Sequence, residues 1–331
     1  MGDKKIYLYD TTLRDGGQTS FVDFTIDNKI NIAHKLDELG VDYIEAGWPG
    51  ANPTDDGVFA RLPKLQHAKV TAFGMTCKKD IDPRAQKGFK ELLDCTADIV
   101  TLVGKSWDFH VSEALKISLQ DNLNIIIDSI KALTDAKKEV FFDAEHFFDG
   151  YKANPDYSME VINTAYQAGA KWIILCDTNG GTLPHEITNI ISQIVEKIPG
   201  SNLGIHCHND TGNAVANSIA AVMAGARQIQ GTLNGLGERC GNTNLITIIP
   251  TLKLKLGYDI SISDSSLKKL KTISNYLCDM LNYPYDPYSP YVGAAAFTHK
   301  GGLHASGMSK NTKSYEHINP NLVGNSRNIL V

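Results

Sequence analysis

The amino-acid sequence predicts an α/β fold, a TIM (β/α)8 barrel followed by a small helical and extended C-terminal subdomain. Strand-like runs recur eight times between segments with helical spacing. Several runs are almost wholly apolar, as strands buried on both faces of a parallel sheet are. Eight alternations over about 250 residues match the size of a TIM barrel, so we favour a barrel over a doubly wound sheet. The runs are 5–10, 43–46, 70–74, 99–103, 140–145, 172–177, 203–208 and 228–232.

The segments between the strands carry the signals of helix ends. Apolar residues spaced three and four apart predict a helix over 26–39, and Gly40 follows it, as glycine does at many helix C-termini. A second apolar stripe covers 159–168 and is closed by Gly169. Pro184 stands where the first turn of a further helix begins, a position that tolerates its missing N–H.

The alternation of strand-like and helical segments stops near residue 259. It predicts a barrel domain over residues 1–258 and a linker with a C-terminal subdomain over 259–331. Residues 267–281 show helical spacing, and 282–291 are rich in proline and tyrosine. Because proline lacks the backbone N–H and fixes φ, we expect 282–291 to be an extended linker. The remaining 292–331 are too few to bury a core of their own, so we expect them to pack on the barrel or on a neighbouring subunit.

Composition and charge argue against several classes of function. The 331 residues carry a formal net charge of −5, which favours neither nucleic acid nor a membrane surface as a partner. No apolar run is long enough to span a bilayer, and the N-terminus lacks the apolar core of a signal peptide. The six cysteines include no Cys-x-x-Cys pair, and this usage is typical of a reduced cytoplasmic protein.

Two histidines stand at the end of the seventh predicted strand. Side chains alternate between the faces of a strand, so His206 and His208 point the same way and both imidazoles can reach one point. Two such nitrogen donors are a common part of a divalent metal site. The pair is also compatible with two histidines that only form hydrogen bonds at a strand terminus.

Polar segments follow nearly every predicted strand, at the end of the barrel where active sites of this fold lie. Three of them are Asp10-Thr-Thr-Leu-Arg-Asp-Gly16, His206-x-His208 and Gly235-Leu-Gly-Glu-Arg-Cys-Gly-Asn242. Together they resemble the DRE-TIM metallolyase superfamily, which contains the 2-isopropylmalate, homocitrate and citramalate synthases and hydroxymethylglutaryl-CoA lyase. Further segments resemble the citramalate-forming branch, so the resemblance covers essentially the whole chain. These segments are 48–53, 104–108, 143–152, 176–182, 297–304 and 315–318.

The resemblance implies a bound divalent metal ion. It assigns Asp15, His206 and His208 as ligands, with Asn242 as a further ligand or a supporting group. One carboxylate and two imidazoles leave coordination positions free for a substrate. Mg, Mn and Zn all tolerate this mixed set of donors, so the sequence does not choose among them.

The resemblance also assigns roles beside the metal. Arg14 would stabilise the alkoxide that forms on the former ketone oxygen; the alternative is a salt bridge with Asp10 or with a strand-end glutamate. Thr178 would hold the carboxylate of a 2-oxo acid, and its alternative is a cap or turn residue. Glu145 is the candidate general base, and its alternative is an ion pair with Arg14 or Lys105.

Two more catalytic residues are implied in the C-terminal subdomain. His304 matches a histidine that the synthases place in the active site, commonly from a neighbouring chain, and Tyr315 matches a tyrosine near it. Without the resemblance, His304 would be a histidine of a structural loop. Ser306 stands where synthases of the isopropylmalate type have an aspartate. Within the barrel, we expect Met75 and Phe142 to shape the pocket for the acceptor.

The activity that the resemblance implies is acyl transfer by a metal-dependent Claisen condensation. Acetyl-CoA and pyruvate would give (R)-citramalate and CoA, a step toward isoleucine. The alternatives are a 2-isopropylmalate or homocitrate synthase that uses another 2-oxo acid, a retro-Claisen acyl-CoA lyase, and a non-catalytic metal-binding protein. We expect a homodimer whose C-terminal subdomains reach the neighbouring barrels, and a chain that lacks the regulatory domain of the synthases. The roles of Lys105 and His110 stay open.

Overall fold

The computed structural model describes residues 5–330. Eight parallel strands follow one another around a barrel in chain order, and the first pairs with both the second and the eighth. The prediction of a barrel is therefore confirmed, since a doubly wound sheet would leave two open edges. The strands are β1 (Lys5–Asp10), β2 (Tyr43–Gly47), β3 (Lys69–Met75), β4 (Ile99–Lys105), β5 (Glu139–Glu145), β6 (Trp172–Asp177), β7 (Leu203–Cys207) and β8 (Gln228–Gly231).

Helices connect the strands on the outside of the barrel. Gly40 and Gly169 end their helices at φ of 99° and 111°, in the left-handed region that glycine adopts without strain. Pro184 begins its helix in the first turn, as predicted. The helices are α1 (Ile26–Leu39), α2 (Pro53–Arg61), α3 (Phe89–Asp94), α4 (Asp108–His110), α5 (Leu119–Asp135), α6 (Phe147–Ala153), α7 (Pro155–Ala168), α8 (Pro184–Ile194), α9 (Ala214–Ala224), α10 (Leu245–Pro250), α11 (Asp264–Leu267), α12 (Leu270–Leu281) and α13 (Gly302–Lys310).

The inside of the barrel is layered because side chains alternate along each strand. An aromatic and aliphatic layer fills its lower part. On several strands the next inward-facing side chain, two residues further along, is polar and leads to the mouth. This buried cluster consists of Tyr9, Tyr43, Ile99, Phe141, Trp172, Ile174 and Cys176, and along β6 it rises from Trp172 to Cys176 near the strand end.

The hydroxyl of Tyr9 joins the two layers. It donates to Oε1 of Glu45 at 2.8 Å and lies 2.6 and 2.7 Å from the hydroxyls of Thr71 and Thr101. Because Tyr9 has one hydroxyl proton, both threonines must donate to it. Burial raises the pKa of Tyr9 well above its ordinary value, so it stays a neutral donor. Four strands are thereby tied together under the mouth.

The C-terminal extension begins at the lower rim of the barrel. There the short strand β9 (Asp259–Ile260) pairs with β1, and α12 follows. Residues 282–291 form no helix or strand, and Tyr291 then meets the barrel domain through a 2.9 Å contact of its hydroxyl with Thr251. Two more short strands, β10 (Thr298–His299) and β11 (Asn328–Ile329), pair with each other.

Two further observations concern helix hydropathy and the cysteines. Among residues 5–330, no helix combines the length and the hydropathy needed to cross a bilayer. All six cysteines lie within the described residues and carry free thiols.

Candidate metal centre and active site

A cleft of about 300 Å³ opens at the C-terminal ends of the barrel strands. It gathers side chains that are distant in sequence because parallel strands end at the same rim. A larger cavity of about 690 Å³ lies at the opposite end, but no predicted site residue lines it. Six of the nine predicted site residues line the mouth cleft, namely Arg14, Asp15, Glu145, Thr178, His206 and His208.

Three of these side chains converge on one point. Nε2 of His206 lies 3.3 Å from Oδ2 of Asp15 and 3.3 Å from Nε2 of His208. The third distance, from Nε2 of His208 to Oδ2 of Asp15, is 3.8 Å. All three residues are buried. Within the described residues, no other group of three or more His, Cys, Asp or Glu side chains shows metal-ligand spacing.

Unpartnered atoms around this cluster indicate what it accommodates. Oδ1 of Asp15 and Oδ1 of Asn242 are buried and have no hydrogen-bond partner among the described residues. Asn242 is held beside His208 by an isolated β-bridge, and its Nδ2 donates to the carbonyl of Leu236 at 3.1 Å. A buried oxygen without a partner costs free energy unless a cation or a donor meets it. The residues present therefore fit a divalent cation with mixed oxygen and nitrogen ligands.

The charges around the cluster favour the same conclusion. Burial opposes ionisation of Asp15, yet the Arg14 guanidinium and the two imidazoles hold the pKa of Asp15 well below its usual range. Burial and the neighbouring His206 lower the pKa of His208 to about 4. Asp15 raises the pKa of His206 despite burial. An ionised Asp15 and a neutral His208 suit metal binding, and a metal ion would compete with the proton that Asp15 favours on His206.

Arg14 is fixed at the edge of the cleft. Its Nε donates to Oε2 of Glu45 at 2.6 Å, and its guanidinium lies 4.0 Å from the ring centre of Phe73. The strand-end glutamate is thus a real partner, whereas Asp10 is not, since its carboxylate accepts from the backbone and side chain of Thr12. Nη1 of Arg14 lies 3.7 Å from Oδ2 of Asp15, and Arg14 is part of the cleft lining.

Glu145 and Thr178 line the cleft, and each has a defined partner. Glu145 forms an ion pair with Lys105, which is one of the two partners that the sequence left open. The hydroxyl oxygen of Thr178 accepts from the backbone N–H of His146 at 2.9 Å, so its own proton is free to donate. The carbonyl of Thr178 accepts from Arg239 at 2.7 Å, which fixes this loop.

The two C-terminal candidates lie elsewhere. The rings of His304 and Tyr315 stack with centres 4.1 Å apart, and neither lines the mouth cleft. Tyr315 is 43% exposed, and Leu303 beside the histidine is 82% exposed. The single chain therefore pairs these residues with each other but does not bring them to the metal cluster.

Three residues that support the site were not named among the predicted site residues, although Glu45 is a strand-end glutamate of the kind offered as a partner of Arg14. Glu45 holds Arg14, while Gln230 and Asp143 form a buried hydrogen-bonded chain to His206. A signal was present for two of them. Asp143 lies two positions before Glu145 on the same strand and therefore on the same face. Gln230 is one of two glutamines in alternate positions of a strand that had to be buried.

The two residues expected to shape the acceptor pocket have different outcomes, and His110, whose role the sequence left open, packs nearby. Met75 lines the cleft, but Phe142 does not, because it faces the layer between barrel and helices. That expectation was wrong, since Phe142 lies between the two inward-facing positions of its strand. His110 packs against the rings of Trp107 and His146, with ring centres 5.0 and 4.3 Å away. It therefore belongs to an aromatic cluster at the rim.

The fold and the site together define a barrel protein with a candidate metal centre at its mouth, and comparison with known proteins gives its family. Residues 5–276 match the HMGL-like family, and residues 291–331 match the homocitrate synthase post-HMGL domain-like family. The chain belongs to the HMGL-like family, whose members are generally dependent on a divalent metal.

Relatives at the level of sequence are synthases. The chain is 52% identical over 330 residues to the (R)-citramalate synthase of Aquifex aeolicus, covering 99% of this chain and 62% of that protein. It is 36% identical over 334 residues to the 2-isopropylmalate synthase of Sulfolobus acidocaldarius, covering 99% of this chain and 82% of that protein. The chain thus spans less than two thirds of the length of the citramalate synthase.

A solved structure supports the fold. The hydroxymethylglutaryl-CoA lyase of Pseudomonas aeruginosa matches with a TM-score of 0.71 at 21% identity, over 85% of this chain and 95% of that one. At this identity the likeness concerns the barrel architecture and not the reaction.

Proposed function

We propose that this chain is the catalytic part of an (R)-citramalate synthase, an acyltransferase that condenses acetyl-CoA with pyruvate. The observation that carries the proposal is the convergence of a buried Asp–His–His cluster, an arginine and a glutamate on one cleft. Identity supports the choice of branch, at 52% to a citramalate synthase and 36% to an isopropylmalate synthase. The product would be (R)-citramalate, released with CoA after hydrolysis of the thioester.

We propose that Asp15, His206 and His208 hold the divalent ion and that Asn242 supplies its free amide oxygen. The donor set suits Mg, Mn or Zn. When bound, the ion would act as a Lewis acid on the carbonyl of the 2-oxo acid.

Arg14 and Thr178 would handle the acceptor. The guanidinium of Arg14, already fixed by Glu45, would stabilise negative charge on the former ketone oxygen without reorganising. The hydroxyl proton of Thr178 has no acceptor among residues 5–330 and would donate to the carboxylate of the 2-oxo acid. Both side chains line the cleft, so one small 2-oxo acid could meet both.

Glu145 would remove a proton from the methyl group of acetyl-CoA. The resulting enolate carbon would attack the ketone carbon, and the new carbon–carbon bond would leave an alkoxide near Arg14. Lys105 orients the glutamate through its ion pair. His304 and Tyr315 do not line the cleft of their own chain. They would therefore act on the acyl-CoA thioester that is bound in the cleft of a neighbouring subunit.

Three features of the whole protein belong to the same proposal. The protein would be a homodimer that exchanges its C-terminal subdomains. It would work in the cytoplasm, where six free thiols stay reduced. The catalytic barrel would comprise residues 1–258, and the linker with the C-terminal subdomain would comprise 259–331.

The experiment is an acceptor panel with the full chain, acetyl-CoA and Mn²⁺. Release of CoA is measured with a thiol reagent in the presence of pyruvate, 2-oxoisovalerate or 2-oxoglutarate, and the product is identified by chiral chromatography. We expect the fastest release with pyruvate and (R)-citramalate as the product. Release that is faster with another acceptor assigns a different synthase. Pyruvate that gives no more thiol than the control without acceptor contradicts the proposal.

A further inference from the structure

The two histidines of the metal cluster are held unequally. Nδ1 of His206 lies 2.9 Å from Oε1 of Gln230, and Nε2 of Gln230 donates to Oδ1 of Asp143 at 3.1 Å. The side chain of His208 has no such support, since its Nδ1 is buried without a partner among the described residues. All members of the chain from Asp143 to His206 are buried, so water does not compete with these bonds.

The chemistry of the Gln230 amide fixes which atom donates in each of these two hydrogen bonds. A glutamine amide has an acceptor at Oε1 and donors at Nε2. Asp143 offers Oδ1 as an acceptor, so Nε2 of Gln230 must face it, and Oε1 is left for His206. Because Oε1 only accepts, Nδ1 of His206 must carry a proton. In the neutral form of His206, which is the form that binds metal, Nε2 then presents its lone pair toward Asp15 and His208.

We propose that Gln230 and Asp143 are positioning residues that fix the tautomer and the ring orientation of His206 for metal binding. The inference rests on the proposed metal centre and adds two residues that the resemblance does not assign. A hydrogen bond to the second nitrogen of a ligating histidine is a general device, and its loss typically weakens metal binding about 10- to 100-fold. Here the device has two members, and its outer member is a carboxylate at the edge of the substrate cleft.

The same strand supplies a matched control. Gln228 lies two residues before Gln230, faces the same side of β8 and is equally buried. Its two polar side-chain atoms have no hydrogen-bond partner among the described residues. Replacement of Gln228 by leucine changes the packing of the barrel interior in the same manner but does not touch His206.

The test measures Mn²⁺ affinity directly, by titration of the full chain monitored through the electron paramagnetic resonance of free Mn²⁺. No substrate is present, so the readout does not depend on turnover. Thermal unfolding by circular dichroism checks each variant. We expect Gln230→Leu and Asp143→Leu to bind Mn²⁺ about 10- to 100-fold more weakly, and Gln228→Leu to bind as the parent does.

Asp143→Asn separates a hydrogen bond from a charge effect. Asparagine keeps an Oδ1 acceptor for Gln230 but removes the carboxylate, so we expect its affinity to stay within about threefold of the parent. An affinity as low as that of Asp143→Leu would overturn the positioning role. Equal affinity of Gln230→Leu and the parent would overturn it while leaving the metal centre intact. A parent that does not bind Mn²⁺ would instead overturn the metal centre itself.

Discussion

The mouth of the barrel and the C-terminal segment hold their candidate residues in opposite ways. At the mouth, Asp15 and both cluster histidines are buried, and Arg14 is fixed between a carboxylate and an aromatic ring. In the C-terminal segment, His304 and Tyr315 contact each other and are largely open to solvent. The barrel therefore arranges its site within one chain, whereas the segment needs a further contact to become part of a site.

The physical reason is the number of neighbours that each region can bury. A closed sheet provides every inward side chain with partners on other strands, so polar groups can be paired and oriented. A segment of 40 residues has too little apolar surface for this. The difference teaches that the two parts of the proposed active site will respond differently to mutation.

The largest effect is expected at the cluster itself. Asp15→Asn keeps the shape of the side chain but removes the negative charge that a cation requires. We expect loss of measurable Mn²⁺ binding and a fall in CoA release of at least about 1,000-fold, which is about 4 kcal/mol of transition-state stabilisation. A variant that keeps both would contradict the assignment of Asp15 as a ligand of the catalytic metal ion.

A second test separates chemistry from metal binding within the mouth. Glu145→Gln cannot take a proton, so we expect kcat to fall about 100- to 10,000-fold with Mn²⁺ affinity unchanged. Glu160→Gln, on helix α7, is the control and should behave as the parent. If the role of Glu145 is only to pair with Lys105, the variant would lose thermal stability and keep its kcat.

The third test addresses the C-terminal segment. We expect His304→Ala to lower kcat about 100-fold and to leave both the melting temperature and Mn²⁺ affinity as in the parent, because the side chain is exposed. Equal mixtures of Asp15→Asn and His304→Ala chains, dissociated and reassembled, should regain part of the activity. In a mixed dimer, the intact Asp15 of the His304→Ala chain and the intact His304 of the Asp15→Asn chain then complete one site. Mixtures without any gain would contradict a site shared between subunits.

The last effect is small at each step of pH and concerns a buried acid of the barrel. Burial raises the pKa of Asp10 to about 7, from 3.8. Between these values the folded chain keeps a proton that the unfolded chain has lost, so the free energy of unfolding falls as pH rises from about 4 to 7. In Asp10→Asn this slope should be smaller by about 1.4 kcal/mol per pH unit. The measurement is urea unfolding at several pH values with a chelator, and Asp23→Asn, at an exposed position, is the control. Identical slopes in Asp10→Asn and the parent would be inconsistent with the shift.

Much of the barrel was predictable because burial on both faces gives its strands a clear sequence pattern. The starts and ends of β1 and β6 agree with the prediction, while β7 ends at Cys207, one residue before His208. The convergence of Asp15 with the histidine pair was also predictable, since parallel strands share one rim. Placement of Arg14 against Glu45 was foreseen only as one of two alternatives.

The remaining features depend on contacts that cross the barrel or leave the chain. Which inward side chain meets which partner depends on the stagger of all eight strands, so the chain from Asp143 to His206 has no local signature. The error at Phe142 has a simpler source, because counting alternate residues from Glu145 would have placed it outside. The position of His304 is not encoded by any local pattern, since its surroundings are supplied by tertiary or subunit contacts.

Helix α12 determines at which end of the barrel the chain leaves. Its approach is tied to the lower rim, where Lys269 pairs with Glu38 at 2.6 Å. The middle of α12 contacts the loop that follows β8 at the mouth end, where the hydroxyl of Ser274 donates to Oδ1 of Asn234 at 2.6 Å. Twelve residues of helix span about 18 Å. Helix α12 therefore leads the chain from the lower rim of the barrel to the level of the cleft. In the proposed dimer with exchanged C-terminal segments, the two barrels would therefore meet on the mouth side.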